Sequence, residues 1–369
     1  MTLFKNLEMP FDANSICILV LTLPLLVSLI SPLKRTNKFF FYAAAISVSI
    51  LNVALLLYIG HSANPCRISQ LFVFSFERFS WIFCILVNAC WALALLYSSS
   101  YLRYRFEEKA ETFHRYLAAS VSLVLGAGLA ANFFTLIFFY ILSIPVIYPL
   151  ITIRANRESQ KAGAIYLLST LLPSLLIICP VVLLFFPLAA PFSTYTIQSL
   201  GYGTGTASLL LGLMVVGFSK NCVAPFHMWL PISAVAPAPV SALVHSVGAV
   251  QTSTIALLKI TTSVYGTKYL ASLSNHFLLT GWITYLCGFT ALYTAYRAWT
   301  APDLKQRFSF STVGQLSYII TAILLGTKQT TIGATLHIVT HSLAKMNLFF
   351  CAGIFASIFG TTNAAEVAL

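Results

Sequence analysis

Residues 217–245 read "GFSKNCVAPFHMWLPISAVAPAPVSALVH" and lie between apolar runs long enough to cross a membrane. The segment holds Lys220, His227 and His245, and four prolines interrupt it: Pro225, Pro231, Pro237 and Pro239. Proline removes a backbone donor and disfavours helix at the preceding residue. The pattern predicts a break between two helices, with His227 and Trp229 at a helix end and His245 about two turns into the next helix. Such a break is tolerated in a membrane only where the backbone is buried in protein or lines a wet cavity.

The chain around this segment is dominated by apolar residues. Of its 369 residues, 59% are hydrophobic and 8% are charged, with a mean hydropathy of +0.87. This composition excludes a single soluble core and indicates an all-α polytopic membrane protein. Apolar stretches recur at the ~20-residue length of a membrane helix and lack the alternation of barrel strands. We predict about eleven transmembrane helices, at 14–32, 37–59, 71–100, 116–132, 133–152, 162–187, 207–224, 238–262, 275–299, 309–326 and 331–359.

The basic residues predict the orientation of these spans, because Lys and Arg collect in cytoplasmic loops. With the N-terminus outside, the inner loops carry most of them: Lys34, Arg35, Lys38, Arg103, Arg105, Lys109, Arg115, Arg154, Arg157, Lys161, Arg297, Lys305 and Arg307. The outer segments carry fewer: Lys5, Arg67, Arg78, Lys268 and Lys328. This topology explains the net charge of +12 better than nucleic-acid binding does.

Three lysines remain within predicted spans, namely Lys220, Lys259 and Lys345. An ionised lysine in hydrocarbon costs at least ~2.5 to 3.5 kcal/mol, so a lysine near mid-span is expected to face protein or water and to have a task. We predict that Lys220, in the last turns of the seventh span, takes up and releases protons, with snorkelling to the surface as its alternative. For Lys259, near the outer end of the eighth span, both readings stay open.

The histidines extend this pattern. In "LHIVTHSLAKMNLFF", His337, His341 and Lys345 are spaced four and four, which places them on one face of a helix. A plain hydrogen-bonding seam would use Ser, Thr or Asn, so three titratable groups favour a proton relay. His227 and His245 flank the broken helix, and we predict a proton-conducting role for them over that of satisfied core histidines.

Other chemistries find little support in the sequence. The eight cysteines form no CxxC or Cys/His cluster, which favours ordinary buried thiols over metal or disulfide sites. No phosphate-binding glycine loop is present, and no acidic or nucleophilic cluster accompanies the histidines. We therefore predict no cofactor and no metal, and a transport subunit rather than a stand-alone enzyme.

Three motifs together carry a family resemblance. In order, "KNCVAPFHMWLPISAVAPAPVSALVHS", "LKQRFSFSTVGQLSY" and "LHIVTHSLAKMNLFFCAG" resemble the proton-translocating antiporter-like subunits of respiratory complex I, membrane-bound hydrogenases and Mrp-type cation/proton antiporters. The residues of these motifs most resemble those of the D subunit of Mrp-type antiporters. The resemblance implies two inverted five-helix repeats with broken helices and a mid-membrane series of lysines and histidines. Lys220 and His245 match the titratable residues of the seventh and eighth helices, and His337, His341 and Lys345 match those of the eleventh.

The sequence departs from the family pattern at three places. The resemblance implies a glutamate in the fifth span where this chain has Tyr140, and in many members a lysine in the eighth span where it has Gln251. The chain also ends at Leu369, before a broken twelfth helix, so the second repeat is expected to be incomplete. We predict N-terminal transmembrane helices at 1–112, a first repeat at 113–262 and a partial second repeat at 263–369.

The leading functional hypothesis is a proton-conducting subunit of a multi-subunit monovalent cation/proton antiporter. One alternative is a proton-pumping membrane-arm subunit of an NADH-quinone oxidoreductase or membrane-bound hydrogenase, which would be enzymatic only as part of that complex. Another is a degenerate structural or assembly subunit. The expected partners are other hydrophobic subunits, the lipid bilayer, protons, and Na⁺ or K⁺, in a bacterial inner membrane.

Overall fold

The computed structural model describes residues 12–30, 38–105, 107–363 and 366. Eleven helices of at least 14 residues organise this part of the chain. They are α1 (Ala13–Ile30), α2 (Lys38–Ile59), α3 (Arg78–Arg105), α4 (Ala110–Leu129), α5 (Phe133–Ile151), α6 (Arg157–Phe185), α7 (Thr204–Gly217), α8 (Ala238–Tyr265), α9 (Phe277–Thr300), α10 (Leu304–Leu324) and α11 (Lys328–Phe359).

Seven of these helices are long and apolar enough to cross a membrane, and α1 and α7 are shorter apolar helices. The predicted helical membrane-protein class is therefore confirmed, while the count of eleven spans stays a prediction. Lys5, Lys34 and Arg35, which entered the orientation argument, lie outside the described residues.

The third predicted span was wrong at its start. Residues from 71 onward were expected to be helical, but the chain forms an antiparallel hairpin of β1 (Ser62–Arg67) and β2 (Val73–Phe76) before α3 begins. The backbone of Val73 explains this difference. Its N–H donates to the Thr135 hydroxyl at 3.0 Å, and its carbonyl accepts from the N–H of Ala131 at 2.9 Å. Because neighbouring segments satisfy these groups, the strand needs no helical hydrogen bonds.

Helix α8 forms the centre of the bundle. Almost all of its residues are buried inside the protein, whereas α2 turns most of its apolar surface outward. Buried polar residues are concentrated on α8, and they include the four consecutive residues 251–254. Burying polar side chains within a membrane protein is costly, and such residues commonly mark functional sites. We therefore expect the functional site to lie on this central helix.

Side-chain caps fix where several helices begin. The Asn132 side chain accepts from the N–H of Thr135 at the start of α5, and Asp303 accepts from the N–H of Gln306 at the start of α10, both at 2.9 Å. These caps satisfy backbone donors that a helix leaves unpaired at its first turn. They set the position of α5 and α10, which carry hydrogen-bond acceptors for buried lysines.

Candidate functional site

The predicted break after the seventh helix is present, but it begins earlier than expected. Helix α7 ends at Gly217, and Lys220 lies in a following 3-10 turn, not in the last turns of the helix. Asn221 stabilises this break, since its amide donates to the Val215 carbonyl at 2.8 Å and its side-chain oxygen accepts from the N–H of Val223 at 3.1 Å. One side chain thus replaces hydrogen bonds that the broken helix loses.

Lys220 is fully buried, which rules out snorkelling to the surface. Its Nζ donates to the Ser143 hydroxyl at 2.6 Å and to the Tyr140 carbonyl at 3.2 Å. The same Nζ lies 4.3 Å from the centroid of the Tyr140 ring. Tyr140 therefore lies beside Lys220, in the place where the family resemblance implies a carboxylate, and it offers the ammonium only neutral contacts.

Aromatic side chains pack around the broken segment that holds this lysine. The rings of Tyr140 and Phe218 meet edge to face with centroids 5.0 Å apart, and Trp229 lies 5.2 Å from Tyr166. The Trp229 indole donates to the Ser219 carbonyl at 3.4 Å, within the break. Trp229 thus links two parts of the broken segment to each other.

His227 and the prolines occupy the rest of the broken segment. The His227 ring lies 5.5 Å from that of Tyr293 on α9, and both of its ring nitrogens are buried with no hydrogen-bond partner among the described residues. Pro231 lies within a short helix of four residues, and Pro237 and Pro239 lie at the cap and in the first turn of α8. At a helix start the missing N–H of proline costs no hydrogen bond.

His245 lies where α8 widens into a π turn, a feature frequent at functional sites. Its Nε2 is 3.3 Å from the Ser309 hydroxyl of α10, and its ring stacks on Phe349 of α11 at 4.4 Å between centroids. Its Nδ1 is buried without a partner among the described residues. The ring therefore joins three helices and keeps one nitrogen available.

The stripe on α11 faces the same region. His341 and Lys345 are buried, and His337 is half-buried with its Nε2 2.8 Å from the Gln315 side-chain oxygen. The rings of His337 and His341 are 6.2 Å apart, and His341 Nε2 has no partner among the described residues. The 6.2 Å between the two histidine rings is a distance that one ordered water can bridge.

Lys345 is held by α10. Its Nζ donates to the Ser311 hydroxyl at 2.8 Å and to the Phe308 carbonyl at 3.0 Å. As at Lys220, both acceptors are neutral. Since α10 also carries Ser309 beside His245, one helix supplies hydroxyls to titratable groups of both α8 and α11.

Sequence reasoning missed Lys305, which was assigned to an inner loop. The structure buries this side chain in the first turn of α10, where its Nζ donates to the Ala236 carbonyl. The Lys305 carbonyl accepts from the Ser309 hydroxyl at 2.7 Å. Lys305 also lines a cavity of about 470 Å³ with Glu158 and Lys161. No local spacing could indicate this burial, because the Ala236 carbonyl that holds the side chain is 69 residues away in the chain.

Two further polar groups of α8 are fully buried. Lys259 donates to the Ser80 hydroxyl at 2.8 Å and to the Gly128 carbonyl at 2.9 Å, so it does not snorkel. Gln251 is buried, and neither atom of its amide has a partner among the described residues. Within the same part of the chain, no three metal-ligating side chains come together.

This arrangement of buried lysines and histidines around broken helices can be compared with known proteins. Residues 130–366 match the family model described as "NADH:quinone oxidoreductase/Mrp antiporter, TM". The chain belongs to this family. The matched region contains the lysines and histidines singled out above.

Curated relatives bear antiporter and oxidoreductase names. The chain is 28% identical to a probable K(+)/H(+) antiporter chain of the A/B type from Rhizobium meliloti, with 79% of this chain and 28% of the relative covered. It is 29% identical to the A-type chain of a Na(+)/H(+) antiporter from Alkalihalophilus pseudofirmus, with 78% of this chain and 37% of the relative covered. It is 33% identical to mouse NADH-ubiquinone oxidoreductase chain 5, with 44% of this chain and 25% of the relative covered. The chain thus spans well under half the length of these relatives. The sequence suggested the D type, whereas these antiporter relatives are named as A or A/B types.

Solved structures share the fold. A chain of the archaeal membrane-bound sulfane sulfur reductase superposes with a TM-score of 0.78 at 16% identity, covering 94% of this chain and 72% of that one. A chain of the Mrp complex from Dietzia superposes with a TM-score of 0.76 at 22% identity, covering 94% and 38%. The antiporter-like helical fold predicted from the motifs is therefore confirmed, while the roles of individual residues stay predictions.

Proposed function

We propose that this chain is a proton-conducting membrane subunit of a multi-subunit monovalent cation/proton antiporter. The observation that carries the proposal is that buried His245 interacts electrostatically with buried His341 and Lys345, with hydroxyls of α10 beside His245 and Lys345. Titratable side chains at such depth are costly and are retained where protons or ions move. Membership of a family that includes Mrp antiporters supports the same reading.

The contacts of these groups suit proton transfer. Lys345 donates to a carbonyl and a hydroxyl, and no carboxylate of the described residues forms an ion pair with it. A histidine can accept a proton on one ring nitrogen and release one from the other. His245 and His341 each have a buried ring nitrogen without a described partner, which ordered water would satisfy. Protons would pass along lysines, histidines and such waters.

The partners and setting belong to the same proposal. Other hydrophobic subunits would surround the chain in a bacterial inner membrane, with its N-terminus outside and Na⁺ or K⁺ as the exchanged cation. The names of the antiporter relatives support this choice. The division into a first repeat at 113–262 and a partial second repeat at 263–369 is part of the proposed architecture.

Two other roles have specific support. The neutral contacts of Lys220 with Tyr140 favour a structural or assembly role, since a lysine without a carboxylate lacks an obvious partner for switching its charge. Similarity to an oxidoreductase chain and to a sulfane sulfur reductase chain favours a redox-driven complex. The proton path through this chain would be the same in that complex.

A matched pair of lysine variants on α11 tests the proposal. Lys345→Met removes a buried proton carrier, whereas Lys328→Met removes an exposed lysine at the start of the same helix. In membrane vesicles containing the assembled complex, we expect Lys345→Met to lower cation-dependent proton flux about tenfold or more, and Lys328→Met to leave it unchanged. Normal flux in Lys345→Met, with normal assembly, would favour the structural role.

A further inference from the structure

Lys259 connects three helices where α3 begins and α4 ends, the side predicted to face outside. It is fully buried on α8, and its Nζ reaches the Ser80 hydroxyl of α3 at 2.8 Å and the Gly128 carbonyl of α4 at 2.9 Å. A π turn, residues Ile260–Tyr265, follows it directly. The lysine therefore lies less than two turns from the end of α8, inside protein and close to the surface.

Glu77 places a carboxylate within electrostatic range of this lysine, and no acid among the described residues is found in that relation to Lys220. Glu77 immediately precedes α3, is half-buried, and lies three residues before Ser80. The titratable groups of α3 and its start that interact electrostatically with Lys259 are Glu77 and Cys84. Ser80 is completely buried and Glu77 is partly exposed. The ammonium therefore contacts the hydroxyl, and the carboxylate lies about one helical turn before the hydroxyl at a more exposed position.

Helix α8 links this group to the cluster around His245. The helix carries His245 in its first turns and Lys259 near its last, with Gln251 between them. Both amide atoms of Gln251 are buried without a partner among the described residues. A buried amide of this kind is normally satisfied by ordered water. The interior between His245 and Lys259 therefore offers polar groups that water can bridge.

We propose that Lys259, Ser80 and Glu77 form the proton exit of this chain at its outer face. The inference rests on the proposed function and extends it to three residues. Protonated Lys259 gives a proton to the Ser80 oxygen while the Ser80 hydroxyl gives its own proton, through a bridging water, to the Glu77 carboxylate. Glu77 then releases a proton to external water, and neutral Lys259 is reprotonated from water near Gln251. Every step runs equally in reverse.

A purely structural contact is the competing explanation, because Lys259 also fastens α8 to α3 and α4. The two explanations separate at Ser80. Ser80→Thr keeps the hydroxyl, whereas Ser80→Ala removes it but leaves the Gly128 carbonyl and Glu77 in place. Glu77→Gln removes the proton acceptor at a partly exposed position where folding is less sensitive, and Glu111→Gln, also at a partly exposed position, serves as its matched control.

The experiment measures cation-dependent proton flux in vesicles containing the assembled complex, with the amount of complex measured in parallel. We expect Ser80→Ala and Glu77→Gln to lower flux per assembled complex about tenfold, Ser80→Thr to retain more flux than Ser80→Ala because it keeps the hydroxyl, and Glu111→Gln to stay near the wild-type rate. A loss of assembly in proportion to flux for both Ser80→Ala and Glu77→Gln would overturn the exit in favour of a structural contact.

Comparison with Lys345→Met separates this inference from the function on which it rests. Normal flux in Ser80→Ala and Glu77→Gln, with lost flux in Lys345→Met, would overturn the exit alone. Normal flux in all three variants would overturn both the exit and the proton-conducting function.

Discussion

At the scale of single residues, the three intramembrane lysines share one kind of environment. Each donates to one backbone carbonyl and one serine hydroxyl: Lys220 to Tyr140 and Ser143, Lys259 to Gly128 and Ser80, and Lys345 to Phe308 and Ser311. Neutral acceptors stabilise an ammonium less than a carboxylate does. Lys220 and Lys345 can therefore lose a proton without separating from a carboxylate, whereas Lys259 also has the Glu77 carboxylate within electrostatic range.

Tyr140 is the residue at which this environment can be changed most directly. The Tyr140 ring centroid lies 4.3 Å from Lys220 Nζ, and Tyr140→Glu would place a carboxylate there. Tyr140→Gln is the control, because glutamine has the size of glutamate without its charge. An adjacent carboxylate favours the charged form of Lys220 and can alternately bind and release the lysine ammonium. We therefore expect proton flux to be severalfold higher in Tyr140→Glu than in Tyr140→Gln. Flux would be measured per assembled complex, and equal rates would show that Lys220 is not on the path.

At the scale of helices, α5 and α10 present the same acceptor pair. Tyr140 and Ser143 are three residues apart on α5, as Phe308 and Ser311 are on α10, and each pair holds one lysine. Counting from the start of each proposed repeat, both are second helices. This correspondence supports the proposed division of the chain into related halves, in which equivalent helices supply equivalent acceptors.

The contact of α11 with α3 and α8 depends on Gly353. A Cβ atom at this position would overlap the Tyr97 hydroxyl and the Ala238 methyl group, whereas one at Gly333 of the same helix would meet open space. Overpacking of a buried contact typically costs about 1–3 kcal/mol. We expect Gly353→Ala to lower the unfolding temperature in detergent and Gly333→Ala to leave it unchanged or raise it. Equal stability of the two variants would show that the contact yields easily.

The sequence predicted the class of fold and most helix positions, because apolar runs of membrane length are a local signal. The prediction failed at helix ends whose position depends on contacts between distant parts of the chain. The hairpin before α3 depends on the side chain of Thr135, and the end of α7 before Lys220 depends on Asn221. The serine partners of the lysines were also missed. Ser80 and Lys259 are 179 residues apart in the chain, so no local spacing could connect them.

At the scale of the whole molecule, the two ends of the bundle carry different groups. The cavity lined by Arg154, Lys161 and Lys305 lies at the end where α6 and α10 begin, the end predicted to be cytoplasmic. The Lys259 group lies near the opposite end of α8, where α3 begins. If the orientation is as predicted, the His245 cluster is nearer the cytoplasm and Lys259 is nearer the outside, so the proposed exit follows directly from the topology.

Cysteine labelling of intact cells tests this orientation. The exposed residue Gln198, between α6 and α7, is predicted to lie outside, and exposed Gln160, in the first turn of α6, to lie inside. In a background with Cys351→Ser and Cys179→Ser, a membrane-impermeant maleimide should label Gln198→Cys in intact cells and Gln160→Cys only after permeabilisation. These two native thiols are the ones not buried in the described structure, so they are removed first. Labelling with the opposite pattern would invert the topology and make the Lys259 group an entrance from the cytoplasm, because the geometry of the path would be unchanged while its direction reversed.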